Sequence, residues 1–251
     1  MVLDSFLLSF QTHSDKNAFC IDEKFYTYAF FLERINGLRE KINSCIPEEC
    51  KNIGIVVRDS IDAYASIFAL WFEGKTYVPL LPNAPEERNR QVVEESGIRF
   101  LFDSGNLKQD LDIELIKTKE IPSSQRTRPF CSYDENRNAY ILNENDRSLQ
   151  MFELTFDFSV AAYTIPLYGG ACIYTIPNGE IKYLYIMDLM EYHKLTALWL
   201  VPSVIILLRS RFANILSKDV RICSFCGEAL PIDVVNEWRK CIPNSIIRNF
   251  F

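Results

Sequence analysis

The chain alternates short, continuous apolar runs with longer amphipathic ones. Ile53-Gly54-Ile55-Val56-Val57 is apolar throughout, the pattern of a parallel strand buried on both faces. Asp59-Ser60 then supplies a helix cap; the helix runs through Phe72, with Gly74 just past its end. Thr76-Tyr77-Val78-Pro79-Leu80 predicts the next strand. Pro82, Pro85 and Glu86-Glu87 open a helix that stops at Ser96-Gly97, and a third strand is predicted over 98–102. The second half repeats the rhythm. Strands are predicted at 139–142, 171–176, 196–200, 220–225 and 245–249, and helices at 159–168, 182–193, 203–211 and 232–240. The polar, proline-containing stretch 104–138 reads as a connecting excursion with one strand near 113–116. This alternation predicts an α/β fold with mainly parallel sheets covered by helices.

Composition narrows the reading without changing it. The chain has 251 residues, 48% of them hydrophobic, with 18 Phe and 12 Tyr, enough for one large domain or two subdomains and too much for disorder. Lys and Arg total 27 against 33 Asp and Glu, and no basic block stands out, so a nucleic-acid partner is not expected. The longest apolar run, 195–208, falls short of the roughly 20 residues a membrane span needs. Pro202 divides it into a buried strand and a helix start, so no stable membrane insertion is expected. The amino-terminal MVLDSFLLSFQTHSDK lacks a basic segment and carries Asp4 in its apolar stretch, unlike a signal peptide. The eight scattered cysteines then read as reduced thiols of a cytoplasmic protein.

Two stretches carry candidate chemistry. Phe225-Cys226-Gly227-Glu228-Ala229-Leu230-Pro231 follows an apolar strand and opens into a helix, the place where α/β enzymes bind ligands. Phe156-Asp157-Phe158-Ser159-Val160 is the second. Asp157 or Ser159 can cap the following helix, and Asp157 can equally meet a ligand ammonium; the two roles are compatible. Other motifs point nowhere. Cys223 and Cys226, three apart on a strand, face opposite ways, which suits neither a shared metal nor a disulfide. His193 ends a helix, where a surface role suffices. Tyr168-Gly169-Gly170-Ala171 reads as a helix stop rather than a phosphate loop. No zinc spacing and no G-x-S-x-G elbow occur, so no metal ligand is assigned.

The order of these segments resembles the amino-acid adenylation domains of the adenylate-forming, AMP-binding ligase superfamily. The resemblance is carried by Phe25-Tyr26-Thr27-Tyr28 with Leu38 and by the stretch from Ala69 to Leu80 with Pro82, Pro85 and Arg88. It continues in Leu154-Thr155-Phe156-Asp157, Tyr168-Gly169-Gly170, Pro202-Ser203 and Gly227-Glu228-Ala229-Leu230-Pro231. It is collinear over nearly the whole chain, and its Phe-Cys-Gly-Glu form is most similar to ligases that load D-alanine onto a carrier protein. It implies an acetyl-CoA synthetase-like N-terminal domain of two packed βα subdomains. Residues 1–142 would form the first part, and 143–251 a flavodoxin-like second part carrying the substrate pocket. ATP, with Mg²⁺, and a small amino acid would give an aminoacyl-adenylate, whose acyl group passes to the phosphopantetheine thiol of a carrier protein.

The resemblance also implies roles. Asp157 would receive the α-ammonium group, and Phe158, Ala161, Trp199, Ser224 and Cys226 would line the side-chain pocket. Gly227, Glu228 and Ala229 would border adenine and ribose, with Asn249 offered to the adenine amino group, Phe250 beside it and Phe251 stacking on the ring. Bulky Phe158 and Trp199 facing Cys226 suggest a shallow, alanine-sized pocket, although core packing is open to Phe158, Ala161 and Trp199. The family's Ser/Thr/Gly-rich loop with its phosphate-holding lysine should follow Ala139-Tyr140-Ile141-Leu142. Here Leu142 runs directly into Asn143-Glu144-Asn145-Asp146-Arg147, which resembles a segment a few tens of residues further on. The family continues past the position of Phe251 with a magnesium-assisting glutamate and a mobile domain bearing the catalytic lysine. The chain is therefore expected to be an incomplete N-terminal portion with no catalytic residue of its own, inactive as it stands.

Overall fold

The computed structural model describes residues 2–105, 107–126 and 142–250. In chain order the elements are α1 (Val2–Thr12), β1 (Asn17–Ile21), β2 (Lys24–Thr27), α2 (Tyr28–Cys45), β3 (Asn52–Val56), α3 (Ile61–Phe72), β4 (Thr76–Leu80), α4 (Glu86–Ser96), β5 (Phe100–Asp103) and β6 (Glu114–Lys117). They continue with β7 (Arg147–Gln150), α5 (Asp157–Tyr168), β8 (Cys172–Thr175), α6 (Lys182–Tyr192), β9 (Ala197–Leu200), α7 (Pro202–Leu208), β10 (Ile222–Phe225), α8 (Ile232–Cys241) and β11 (Ile246–Asn249). Two compact units result. One comprises the described residues within Met1–Lys16, Tyr26–Arg137 and Glu153–Asp157; the other comprises those within Asn17–Phe25, Asn138–Phe152 and Phe158–Phe251.

The first unit holds a four-stranded parallel sheet in the order β4-β3-β5-β6. Its helices begin and end where local chemistry dictates. Ser60 Oγ accepts the Ala63 N–H at the start of α3, and Gly97, at φ 64°, closes α4. The helical core is aromatic: Phe10 lies 5.4 Å from both Phe31 and Phe68 and 5.7 Å from Tyr28, all fully buried. Beside it Arg34 is buried and fully occupied. Its Nε donates to Asp62 Oδ1 (2.9 Å), and its terminal nitrogens donate to the carbonyls of Ile121 and Thr118.

The second unit is built on a seven-stranded sheet in the order β11-β10-β9-β7-β8-β1-β2. The pairings β11–β10, β10–β9, β9–β7, β7–β8 and β8–β1 are all parallel. The β1–β2 hairpin turns on Asp22 and Glu23, both at positive φ (49° and 59°), as a type I′ turn requires. α5 ends in a Schellman motif. Gly170 sits at φ 76°, the Ala171 N–H reaches the Pro166 carbonyl (3.0 Å), and the Gly170 N–H reaches that of Leu167. Residues 168–171 are thus a helix stop, as expected. Pro202 occupies the first turn of α7, so the run 195–208 divides into β9 and α7 as its proline implied.

Three sequence expectations need correcting or completing. Ser159 does not cap α5: the helix starts at Asp157, which leaves Ser159 inside its first turn, fully buried. The first fifty residues contain α1, α2 and the β1–β2 hairpin, none of which the apolar pattern announces. β7 is equally unannounced. Its sequence, Arg147-Ser148-Leu149-Gln150, carries polar side chains at two wholly buried positions, so hydrophobic periodicity does not mark it. Gln150 is tolerated there because its amide pairs with the backbone N–H and carbonyl of Phe152. The strand expected at 139–142 lies outside the described residues except for Leu142.

Candidate active site

The strand order places a crevice before any side chain is considered. From β7 the chain moves through α5 to β8 on one side, then returns through α6 to β9 on the other side of β7. With right-handed crossovers this reversal sends α5 and α6 to opposite faces and opens a crevice at the carboxyl ends of β7 and β9. The carboxyl ends of β9, β10 and β11 are level there, because Phe225 pairs with both Leu200 and Asn249.

Most of the expected pocket residues lie on these strand ends or just beyond them. Trp199 and Ser224 pair across β9 and β10 and are both buried. Trp199 is fixed from below: its Nε1–H donates to Ser148 Oγ on β7 (2.9 Å), a buried bond. Phe158, in the first turn of α5, is half-buried. Its ring centroid lies 5.9 Å from Trp199 and 5.2 Å from Phe152, both edge to face. Ala161, one helical turn on, is also half-buried. Asp157 is exposed and is the residue at which α5 begins, so its carboxylate belongs to the positive end of that helix.

Beyond β10 the backbone bends away. The Cys226 N–H still bonds to the Leu200 carbonyl (3.2 Å), which holds this half-buried thiol at the strand end. Gly227 then takes φ 86°, a conformation that favours glycine, and an added Cβ would have its nearest neighbour 3.9 Å away, at Val201 Cγ1. Backbone conformation, not space, therefore selects glycine. Glu228 follows in an exposed bend, and its carboxylate accepts from the Ser203 N–H (2.8 Å) and hydroxyl (3.0 Å). Ala229 and Asn249 are exposed. Phe250, expected beside the nucleotide, has its ring 6.2 Å from that of Phe158, while its N–H bonds to the Phe225 carbonyl (2.7 Å). Phe251 lies outside the described residues.

Sequence reasoning missed the supports. Ser148 carries no motif that announces it, and Ser203, although part of the Pro202-Ser203 motif, receives no role from it; each acts through bonds to a residue distant in sequence. Ser159 Oγ is buried with no hydrogen-bond partner among the described residues, two positions from Asp157. The thiol of Cys223 is wholly buried, and burial pushes its pKa up to about 12; among the described residues neither Cys223 nor Cys226 is in a disulfide. His193 meets Glu23 Oε2 at 3.0 Å rather than standing alone at its helix end. Among the described residues no group of three His, Cys, Asp or Glu is placed to hold a metal ion, and no helix is long and apolar enough to cross a membrane.

Comparison with known proteins bears on the fold. Tyrocidine synthase 3 of Brevibacillus parabrevis is 22% identical over 94% of this chain, which spans only 4% of that relative. Among solved structures, an artificially fused adenylation–PCP di-domain, NpsA-ThdA from Klebsiella oxytoca, matches 99% of the chain with a TM-score of 0.84 at 18% identity, over 52% of its own length. The Vibrio cholerae adenylation domain AlmE, in complex with glycyl-adenosine-5′-phosphate, matches the whole chain with a TM-score of 0.80 at 19% identity, over 59% of its length. These likenesses show a shared fold. The family model described as AMP-binding enzyme matches residues 8–131 and 126–250, and the chain belongs to that family.

Proposed function

We propose that this chain forms the amino-acid and adenosine site of an adenylating ligase for a small amino acid, with D-alanine as the first candidate. The carrying observation is the side-by-side arrangement at the switch point. An aromatic wall of Phe158 and Trp199, with Ser224 and Cys226, adjoins the exposed bend Gly227-Glu228-Ala229 and the exposed Asn249. In this reading Asp157 holds the α-ammonium group, and the aromatic wall with Ala161 leaves room for little more than a methyl. The open backbone at Gly227 and the Asn249 amide accept adenosine, and Phe250 closes the aromatic wall. Attack of the amino-acid carboxylate on the α-phosphorus of ATP yields aminoacyl-adenylate and pyrophosphate. A phosphopantetheine thiol of a carrier protein then takes the acyl group and releases AMP, in the reducing cytoplasm. Mg²⁺ would be held by the nucleotide phosphates, whose charge it would neutralise.

The adenylation domain of a peptide synthetase, acting on another amino acid, is a second reading, favoured by the synthase relative. A third is a chain that binds adenylate without turnover. The family model matches in two stretches that meet at 126–131, and the 276-position alignment to the synthase exceeds this chain's 251 residues. That relative therefore carries residues without counterpart here. Pyrophosphate exchange by the complete protein with D-Ala, L-Ala, Gly and Ser separates the three. Exchange that prefers D-Ala and vanishes in Asp157→Ala supports the first, and exchange with a different amino acid supports the second. Binding of an aminoacyl-adenylate analogue without exchange supports the third; neither binding nor exchange sinks all of them.

A further inference from the structure

The opposite, amino-terminal mouth of the same sheet holds a second cavity, of about 340 Å³, within the range of small-molecule sites. It lies between the end of α6 and the segment that leads into β10, and it is independent of the reading given to the carboxyl ends. Its lining is mixed, and Met187 and Met190, whose thioethers adapt to alkyl or aromatic groups, belong to the apolar part. Ser217 also lines it. That residue is only 7% exposed, and its hydroxyl finds no hydrogen-bond partner among the described residues. A buried hydroxyl left unpaired costs about 1–3 kcal/mol, so a ligand that pairs with it is favoured. The rim carries both signs of charge, with Glu191 and Asp219 opposing Lys194, and all three are exposed.

We propose that this cavity binds a free apolar α-amino acid. The side chain rests on Met187 and Met190, a polar head atom pairs with Ser217, and the zwitterion meets the mixed rim. The occupant braces the two segments that enter β9 and β10, the strands that present Trp199 and Ser224 at their other ends.

Methionine methyl NMR tests this directly, because the chain has only four methionines and Met151 sits at the other end of the sheet, just after β7. The chain labelled with [methyl-¹³C]methionine is titrated with L-leucine, with isovalerate (no amine) and with 3-methylbutylamine (no carboxylate). Leucine shifts the Met187 and Met190 signals saturably and leaves Met151 in place, while each half-molecule binds at least about tenfold more weakly. Ser217→Ala weakens leucine about tenfold with the unliganded spectrum preserved. If that variant does not fold, the exposed substitution Lys194→Gln should bring leucine down to the affinity of 3-methylbutylamine. No movement of Met187 or Met190 at about 20 mM leucine overturns the proposal. Equal affinity for leucine and both half-molecules also overturns it. Movement of Met151 alone places leucine at the carboxyl-end site instead, and does the same.

Discussion

The two ends of the seven-stranded sheet are built differently. At the amino end the Asp146 carboxylate, only 3% exposed, gathers the hydroxyl of Thr196 (2.6 Å), the N–H of Asn143 (2.8 Å) and two guanidinium nitrogens of Arg221. It thereby ties the segments entering β7, β9 and β10. At the carboxyl end the strands finish in aromatic edge contacts, an exposed bend at Gly227 and a carboxylate, Glu228, that accepts from Ser203. Buried charge pairing resists opening; exposed bends do not. The difference teaches that alignment of the strands is secured away from the carboxyl-end crevice, which leaves that end free to be shaped by side chains.

Breaking the locked end should have the largest effect. Asp146→Ala removes the carboxylate that Arg221 and Thr196 share and should lower the unfolding free energy by about 3 kcal/mol, measured by urea denaturation. The same lock makes stability depend on pH. Burial alone would raise the Asp146 pKa, but the hydrogen bonds from Arg221, Thr196 and Asn143 outweigh it and hold the carboxyl below its ordinary 3.8. Its contribution is therefore complete above that value and is lost as pH falls through the lower, folded-state value. Denaturation midpoints between about pH 5 and pH 2.5 should fall more steeply for the parent chain than for Asp146→Asn.

The carboxyl end should respond less in stability and more in binding. Trp199→Phe leaves the Ser148 hydroxyl without its indole partner and should cost about 1.5 kcal/mol in the same assay while weakening binding at the proposed amino-acid site. Gly227→Ala should cost about 1 kcal/mol through its left-handed φ, since space is not limiting. Glu228→Gln should be smallest, leaving the denaturation midpoint unchanged within error, because the bend is exposed and the amide can still accept from Ser203.

The two ends are also unequally legible in the sequence. Strands and helices over 53–102 and 171–249 follow from unbroken apolar runs, caps and the positions of Pro202 and Gly97, which are local signals. The parallel sheets follow from their alternation. β7 is illegible because buried Ser148 and Gln150 interrupt the apolar pattern: Gln150 is satisfied locally by Phe152, and Ser148 by Trp199, a partner that arrives only in the folded chain. The Asp146 lock is hidden for the same reason, joining residues 50 and 75 positions apart. At the candidate site the motif residues, Ser203 among them, can be named from their order, whereas Ser148 and the bond from Ser203 to Glu228 come from three-dimensional pairing alone.

The account rests on the carboxyl-end crevice being an aminoacyl-adenosine site. Calorimetric titration with an alanyl-adenylate analogue, the alanyl sulfamate of adenosine, tests it most directly. The account predicts saturable one-to-one binding, weakened at least about tenfold by Asp157→Ala and by Trp199→Ala and untouched by Ser217→Ala. Absence of binding, or binding that Asp157→Ala and Trp199→Ala leave unchanged, would contradict it.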